Sequence, residues 1–283
     1  MNRPLLCSGP AASLRRERWG FLFSGSELAM SDTPWQPRGF TAAVHLNDLR
    51  AVADLTQARD GLTQLVIAGQ AFPAARLLGI ALFSTVDAAG AAPLENYVRG
   101  ADLVVAYEPS GRQAVRVDAL WRAIAPAAAD VFLAAVDLVV SVRTDVLDSR
   151  PELPVQSTVP AGEVLQLQGL DPVAWTALAL PSAAALTIGP GRGTGCVLFR
   201  LPGCDLTYVE MVHPADFQYD ELRRDECGGQ TVQIAHRLFR TSLEKGVILR
   251  ARVRGIFLKR QGDTQCAAEC YAAFAGADPP LGT

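Results

Sequence analysis

The stretch Val115-Arg116-Val117-Asp118-Ala119-Leu120-Trp121-Arg122 sets apolar residues at 115, 117, 119 and 121 against mostly polar ones between them. A period of two is the mark of an extended strand with one face buried. Val136-Asp137-Leu138-Val139-Val140-Ser141-Val142-Arg143 repeats the pattern, and Leu249-Arg250-Ala251-Arg252-Val253-Arg254 gives it again with arginine at every outward position. A slip of one residue in that last stretch would drive three guanidinium groups into the core, so its register is strongly specified. Leu249, Ala251 and Val253 are therefore expected inside and Arg250, Arg252 and Arg254 outside. Gly255 is expected to permit a bulge before Ile256.

Outward from these three stretches, shorter strand candidates run through the chain: Phe40–Leu46, Leu62–Ala68, Leu77–Val86, Ala101–Glu108, Glu163–Gln168, Ala184–Ile188, Cys196–Leu201, Leu206–Val212, Thr231–Phe239 and Cys270–Phe274. Turn-forming residues separate many of them, among them Pro109-Ser110-Gly111, Gly189 to Gly195 and Pro202-Gly203. Helix is sparse; Asn47 is placed to cap a short one reaching Arg59, with Leu49, Val52 and Leu55 on one face. More than ten short strands joined by turns imply a mainly β protein, an antiparallel β-sandwich. The long helices of a doubly wound dinucleotide-binding fold are missing.

The halves share a weak internal pattern. Asp102-Leu103, Leu120-Trp121-Arg122 and Val142-Arg143 recur in order as Asp205-Leu206, Leu238-Phe239-Arg240 and Val253-Arg254. Two arrangements stay open: a tandem pair of β-modules, 30–160 and 161–283, or one continuous sandwich. Residues 1–29 show neither hydrophobic period, and Met30-Ser31-Asp32 reads as an ordinary start. They are expected to be a non-native or disordered extension, since the five-residue run Trp19 to Phe23 is too short for a signal peptide.

The 283 residues are 49% hydrophobic and 19% charged, with a net charge of −3. Such a chain buries enough apolar surface to fold, and its charge offers nucleic acid no basic partner. No apolar run reaches the ~20 unbroken residues of a membrane helix. Six scattered cysteines, at 7, 196, 204, 227, 266 and 270, are too few for a disulfide scaffold and point to reduced thiols in a cytoplasmic protein.

The run Glu95-Asn96-Tyr97-Val98-Arg99-Gly100-Ala101-Asp102-Leu103 followed by Leu120-Trp121-Arg122, with Tyr208-Val209-Glu210-Met211-Val212-His213-Pro214 and Leu243-Glu244-Lys245-Gly246-Val247-Ile248, resembles a family of uncharacterised environmental-bacterial proteins. That resemblance implies no catalytic residue. The strand count is loosely similar to the supersandwich of galactose-mutarotase-like proteins, a likeness of fold alone.

Candidate chemistry is thin. No GxSxG, HExxH, EF-hand loop or pre-helical GxGxxG occurs, and Gly189 to Gly195 lacks the lysine of a phosphate loop. His213 lies between Glu210 and Asp216, each three residues away, a trio suited to acid–base work or to capping a turn. His236 shares a face with Val232, Ile234 and Leu238 and reads as a satisfied core histidine. Tyr208 and Glu210 alternate onto one face and are candidates, with Arg250, Arg252 and Arg254, for lining a polar ligand site or a solvated ion-paired face. Cysteine spacing does not suit a metal, and no cofactor is expected. The expected function is a non-catalytic binding or assembly module for a polar or carbohydrate small molecule. The alternative is an epimerase or mutarotase using a histidine and a carboxylate.

Overall fold

Alternation built most of the secondary structure. A computed structural model describes residues 33–82, 93–108, 115–127, 130–181, 184–225 and 230–278; the 1–29 segment lies outside them. In chain order the strands are β1 (Trp35–Arg38), β2 (Thr41–Leu46), β3 (Leu49–Asp54), β4 (Leu62–Ile67), β5 (Gln70–Phe72) and β6 (Arg76–Ile80). There follow β7 (Pro93–Arg99), β8 (Asp102–Tyr107), β9 (Val115–Ile124), β10 (Ala134–Thr144), β11 (Leu153–Pro160), β12 (Glu163–Leu170) and β13 (Val173–Ala177). The last are β14 (Leu186–Ile188), β15 (Cys196–Arg200), β16 (Leu206–Val212), β17 (Tyr219–Arg224), β18 (Thr231–Leu238) and β19 (Ile248–Lys259), before helix α1 (Asp263–Ala275).

Among the described residues these strands form two antiparallel sheets. The first runs β1-β2-β3-β4-β6-β11-β18-β17-β14, with β5 paired to β4; the second runs β13-β12-β15-β16-β19-β10-β9-β8-β7. Each sheet passes through strands of both halves of the chain. Their inner faces enclose one apolar core in which Trp35, Trp121, Phe199 and Tyr208 are fully buried. A smaller core lies on the outer side of the second sheet, where Leu198, Val209, Met211 and Ile256 meet Ala267, Tyr271 and Phe274 of α1. The protein is a mainly β sandwich, as the alternation implied.

The three defining stretches became β9, β10 and β19. Ala251 and Val253 enter the main core, Leu249 packs at its margin, and the arginines take the other face. No bulge forms at Gly255, because β19 keeps unbroken register with β10 and β16. The glycine serves another purpose: a Cβ there would stand 2.5 Å from the Tyr208 hydroxyl.

Two expectations about helix are overturned. Asn47 caps nothing; at φ 47° it makes the tight turn between β2 and β3, and Leu49, Ala51 and Ala53 alternate inward as a strand. Only Leu55–Asp60 coils, as a 3₁₀ turn whose first amide, Thr56 N–H, is held by the Asp54 carboxyl at 3.0 Å. Conversely, Cys270–Phe274 is no strand but the end of α1. Ala267, Ala268, Tyr271 and Phe274 are buried at helical spacing, a period invisible in the last five residues alone.

Candidate ligand-binding cleft

The first sheet bears different chemistry on its two faces, and strand parity decides which residue meets which. On β11 the inward residues are Val155, Ser157 and Val159; on β18 they are Val232, Ile234, His236 and Leu238; on β17 they are Asp220 and Leu222. Asp220 and His236 stand directly opposite in the β17–β18 register. Across the core, Tyr208 and Glu210 of β16 project toward them from the second sheet.

The result is a polar cluster sealed in apolar surroundings. His236 donates from Nδ1 to Asp220 at 2.6 Å and from Nε2 to Glu210 at 2.9 Å. The other Glu210 oxygen accepts from the Ser157 hydroxyl at 2.6 Å and from the Tyr208 hydroxyl. Ser157 in turn accepts the Leu78 amide at 2.9 Å. Burial by itself would lower the His236 pKa, but the Asp220 and Glu210 carboxyls outweigh it and raise the value to about 10. His236 is thus an imidazolium ion at neutral pH, and the cluster ties the two sheets together. The core histidine is satisfied by charge as well as by hydrogen bonds.

This arrangement parts the sequence-proposed trio. Glu210 faces the core, whereas His213 turns away at the end of β16, its ring centre 5.7 Å from that of Phe274 with the two rings nearly perpendicular. His213 Nδ1 accepts the Ala215 amide at 3.3 Å, capping the turn that begins there. Asp216 accepts the Arg252 amide at 3.0 Å, and burial raises its carboxyl pKa. Tyr208 and Glu210 also fail to meet the arginine row, because the register pairs Glu210 with Gly255 and Met211 with Arg254. They occupy opposite faces of the second sheet.

The arginines meet partners of their own. Arg254 grips Asp137 with two nitrogens, and the register extends this into a row of alternating charge, Arg99, Asp102, Arg122, Asp137 and Arg254, across five strands. Arg252 is buried beneath α1, donating to the Ala277 and Phe274 carbonyls at 3.1 and 3.3 Å and lying 4.4 Å from the Phe274 ring centre. Arg250 donates to Ser141 at 3.1 Å. Cys196, Cys204, Cys266 and Cys270 are free thiols, and among the described residues no three His, Cys, Asp or Glu side chains gather to hold a metal ion. No helix among them is long and apolar enough to cross a membrane.

The outer face of the same strands carries the feature that sequence reasoning missed. Gln156 and Thr158 of β11, Gln233, Ala235 and Arg237 of β18, and Glu221 and Arg223 of β17 floor a cleft of about 850 Å³. The 3₁₀ turn forms one wall. Two glycines bring it that close: a Cβ on Gly79 of β6 would stand 2.0 Å from the Arg59 carbonyl oxygen, and one on Gly61 would stand 2.2 Å from that of Leu77. Within the cleft Arg237 pairs with Glu221 at 2.7 Å, Arg76 with Asp60 at 3.4 Å, and Arg223 donates to the Gln233 side-chain oxygen at 3.0 Å. Amides, hydroxyls and guanidinium groups make it a hydrogen-bonding surface. No histidine and no aromatic ring lines it among the described residues.

Structural comparison bears on the architecture. A provisionally assigned aldose 1-epimerase of Escherichia coli K12 superposes with a TM-score of 0.54 at 8% identity, covering 77% of this chain and 98% of its own. The fold is the mutarotase-like supersandwich. A Synechocystis sp. PCC 6803 protein matches with a TM-score of 0.55 at 9% identity, over 79% of this chain and 97% of its own. A TPR-domain containing protein of Parabacteroides distasonis matches at 0.52 and 8% identity, over 77% of this chain and 47% of its own. No family model and no curated protein matches the sequence. Identities this low carry the fold and not the activity.

Proposed function

We propose that the protein is a binding module that holds a carbohydrate-class ligand in the cleft of the first sheet without transforming it. The observation that carries this reading is the lining: amide, hydroxyl and guanidinium groups on a floor of three paired strands, with no histidine among the described lining residues. Sugars offer hydroxyls that such groups bind, and an open polar cleft of this volume suits a small molecule. One structural neighbour, provisionally assigned as an aldose 1-epimerase, adds the expectation of a sugar.

The alternative, epimerisation through a histidine and a carboxylate, needs both groups facing the ligand. His236 sits on a floor strand but points to the opposite face, where both its ring nitrogens are engaged. Glu221 and Asp60 do face the cleft, each held by an arginine.

A sugar panel screened by thermal shift, with polarimetry on freshly dissolved α-glucose and α-galactose, tests the reading. Binding is expected as a rise in melting temperature, worth about 2.7 kcal/mol at 100 times the Kd. Optical rotation should relax no faster than in buffer. Catalysed relaxation would refute the non-catalytic reading, and an unresponsive melting temperature across the panel would refute the sugar.

A further inference from the structure

The charges of the cleft do not balance. Four arginines, at 59, 76, 223 and 237, face it against two carboxylates, Asp60 and Glu221. Asp60 meets Arg76, while Glu221 meets Arg237, which also draws Glu152 at 3.5 Å. Arg59 and Arg223 have no carboxylate within ion-pair distance among the described residues, and both are exposed. Arg223 spends its Nε on Gln233, and the terminal nitrogens of its guanidinium fork make no bond to another described residue. A planar fork of this kind matches a carboxylate with two parallel hydrogen bonds.

The two arginines also stand apart. Arg59 belongs to the 3₁₀ turn whose carbonyl rests on Gly79 of β6, and Arg223 belongs to β17. Between those strands lie β11 and β18. Three strand intervals of ~4.8 Å separate them by ~14 Å along the floor. That is well beyond the width of one sugar ring. Gln156 and Gln233 lie between, as amides able to meet hydroxyls. The described lining offers aliphatic contacts from Ile80, Leu82 and Pro154 but no aromatic ring for stacking, so charge supplies what stacking would otherwise add.

We infer that the ligand is an acidic oligosaccharide of two or more rings, with carboxylates at both ends of the cleft, one taken by Arg59 and one by Arg223. This rests on the cleft being the binding site, and it adds the ligand's charge and length.

Calorimetric titration of the full-length protein with trigalacturonate, maltotriose and glucose 6-phosphate tests it, with R59A, R223A and Q156A checked for unchanged melting. Trigalacturonate should bind at least about tenfold more tightly than maltotriose at low salt, and R59A and R223A should each lose about three- to tenfold. The advantage should vanish near 1 M NaCl, where the Debye length is about 3 Å. Equal affinity for trigalacturonate and maltotriose, both weakened by Q156A, overturns the acidic ligand and leaves the sugar cleft standing. Glucose 6-phosphate binding as tightly as trigalacturonate overturns the two-ended span. Failure of all three ligands to bind overturns the cleft and the inference together.

Discussion

Raising the pH from 7 to 8.5 should cost the protein about 2 kcal/mol of stability through one buried residue. His236 has its pKa raised from 6.5 to about 10 in the folded protein by Asp220 and Glu210, against the opposing effect of burial. A raised value means that folding binds the proton more tightly than the unfolded chain does. The stabilisation is therefore complete below pH 6.5 and is lost as pH climbs through 10. At about 1.4 kcal/mol for each tenfold difference in proton affinity, the whole interval is worth about 5 kcal/mol, and the step from pH 7 to 8.5 about 2 kcal/mol. The window matters. Burial also raises the Cys196 thiol and the Tyr107 and Tyr208 phenols, but a free thiol and a free phenol ionise only near 9 and 10, so their effect begins higher. Urea unfolding at half-unit pH steps measures the slope, and ¹⁵N chemical shifts of the imidazole report its charge directly. H236Q should flatten the slope in this window. Stability that changes by less than about 0.5 kcal/mol between pH 7 and 8.5, or an imidazole that titrates near 6.5, would refute a buried imidazolium.

Gly255→Ala should destabilise the fold by about 1–3 kcal/mol in urea titrations, because its Cβ would press on the Tyr208 hydroxyl at 2.5 Å. Tyr208→Phe should then cost less in the Gly255→Ala background than alone, since the displaced hydroxyl has already lost Glu210. Gly79→Ala should cost about 2 kcal/mol or more and weaken ligand binding with it, because the clash is with the Arg59 backbone and lifts the cleft wall. Arg252→Met should release the end of α1, seen as faster amide exchange across Phe274 to Ala277 while the β16 and β19 amides stay protected.

Much of the fold was legible because most strands bury one face and expose the other. The stretches that became β9, β10 and β19 alternate over eight, eight and six residues, and the inward and outward assignments made there held. Legibility failed where the signal was short or mixed. In β3 the apolar Val52 takes an outward position, so the alternation did not outweigh a plausible cap at Asn47, and five residues at the end of α1 fit either period. The site was harder. His213 drew notice for carboxylates three residues away on either side, yet an odd spacing in extended chain sends neighbours to opposite faces. Glu210 obeys that rule and faces the core. The cleft was unreadable for another reason: its residues come from 56–60, 76–82, 154–158, 185, 221–223 and 233–237, six stretches brought together only by the fold.

Alternation along the floor strands explains how the cleft is built. Along β17 and β18, Glu221, Arg223, Gln233 and Arg237 reach the cleft while Asp220, Leu222, Ile234 and His236 reach the core. A strand floor that presents charge on one side normally rests on apolar residues on the other. Here the support is itself ionic: His236 binds Asp220 of its neighbour strand and Glu210 of the opposite sheet, and Ser157 of β11 joins them. Three floor strands are thus fixed to one another and to the second sheet by directional bonds, which hold position more strictly than methyl contacts. Truncating His236 would strand two buried carboxyls and cost several kcal/mol, whereas truncating Arg223 on the reverse face should leave stability within about 0.5 kcal/mol. Comparing the two variants in one denaturation series separates the face that holds the cleft in shape from the face that meets a ligand. Equal losses would mean that the cleft arginine is part of the scaffold.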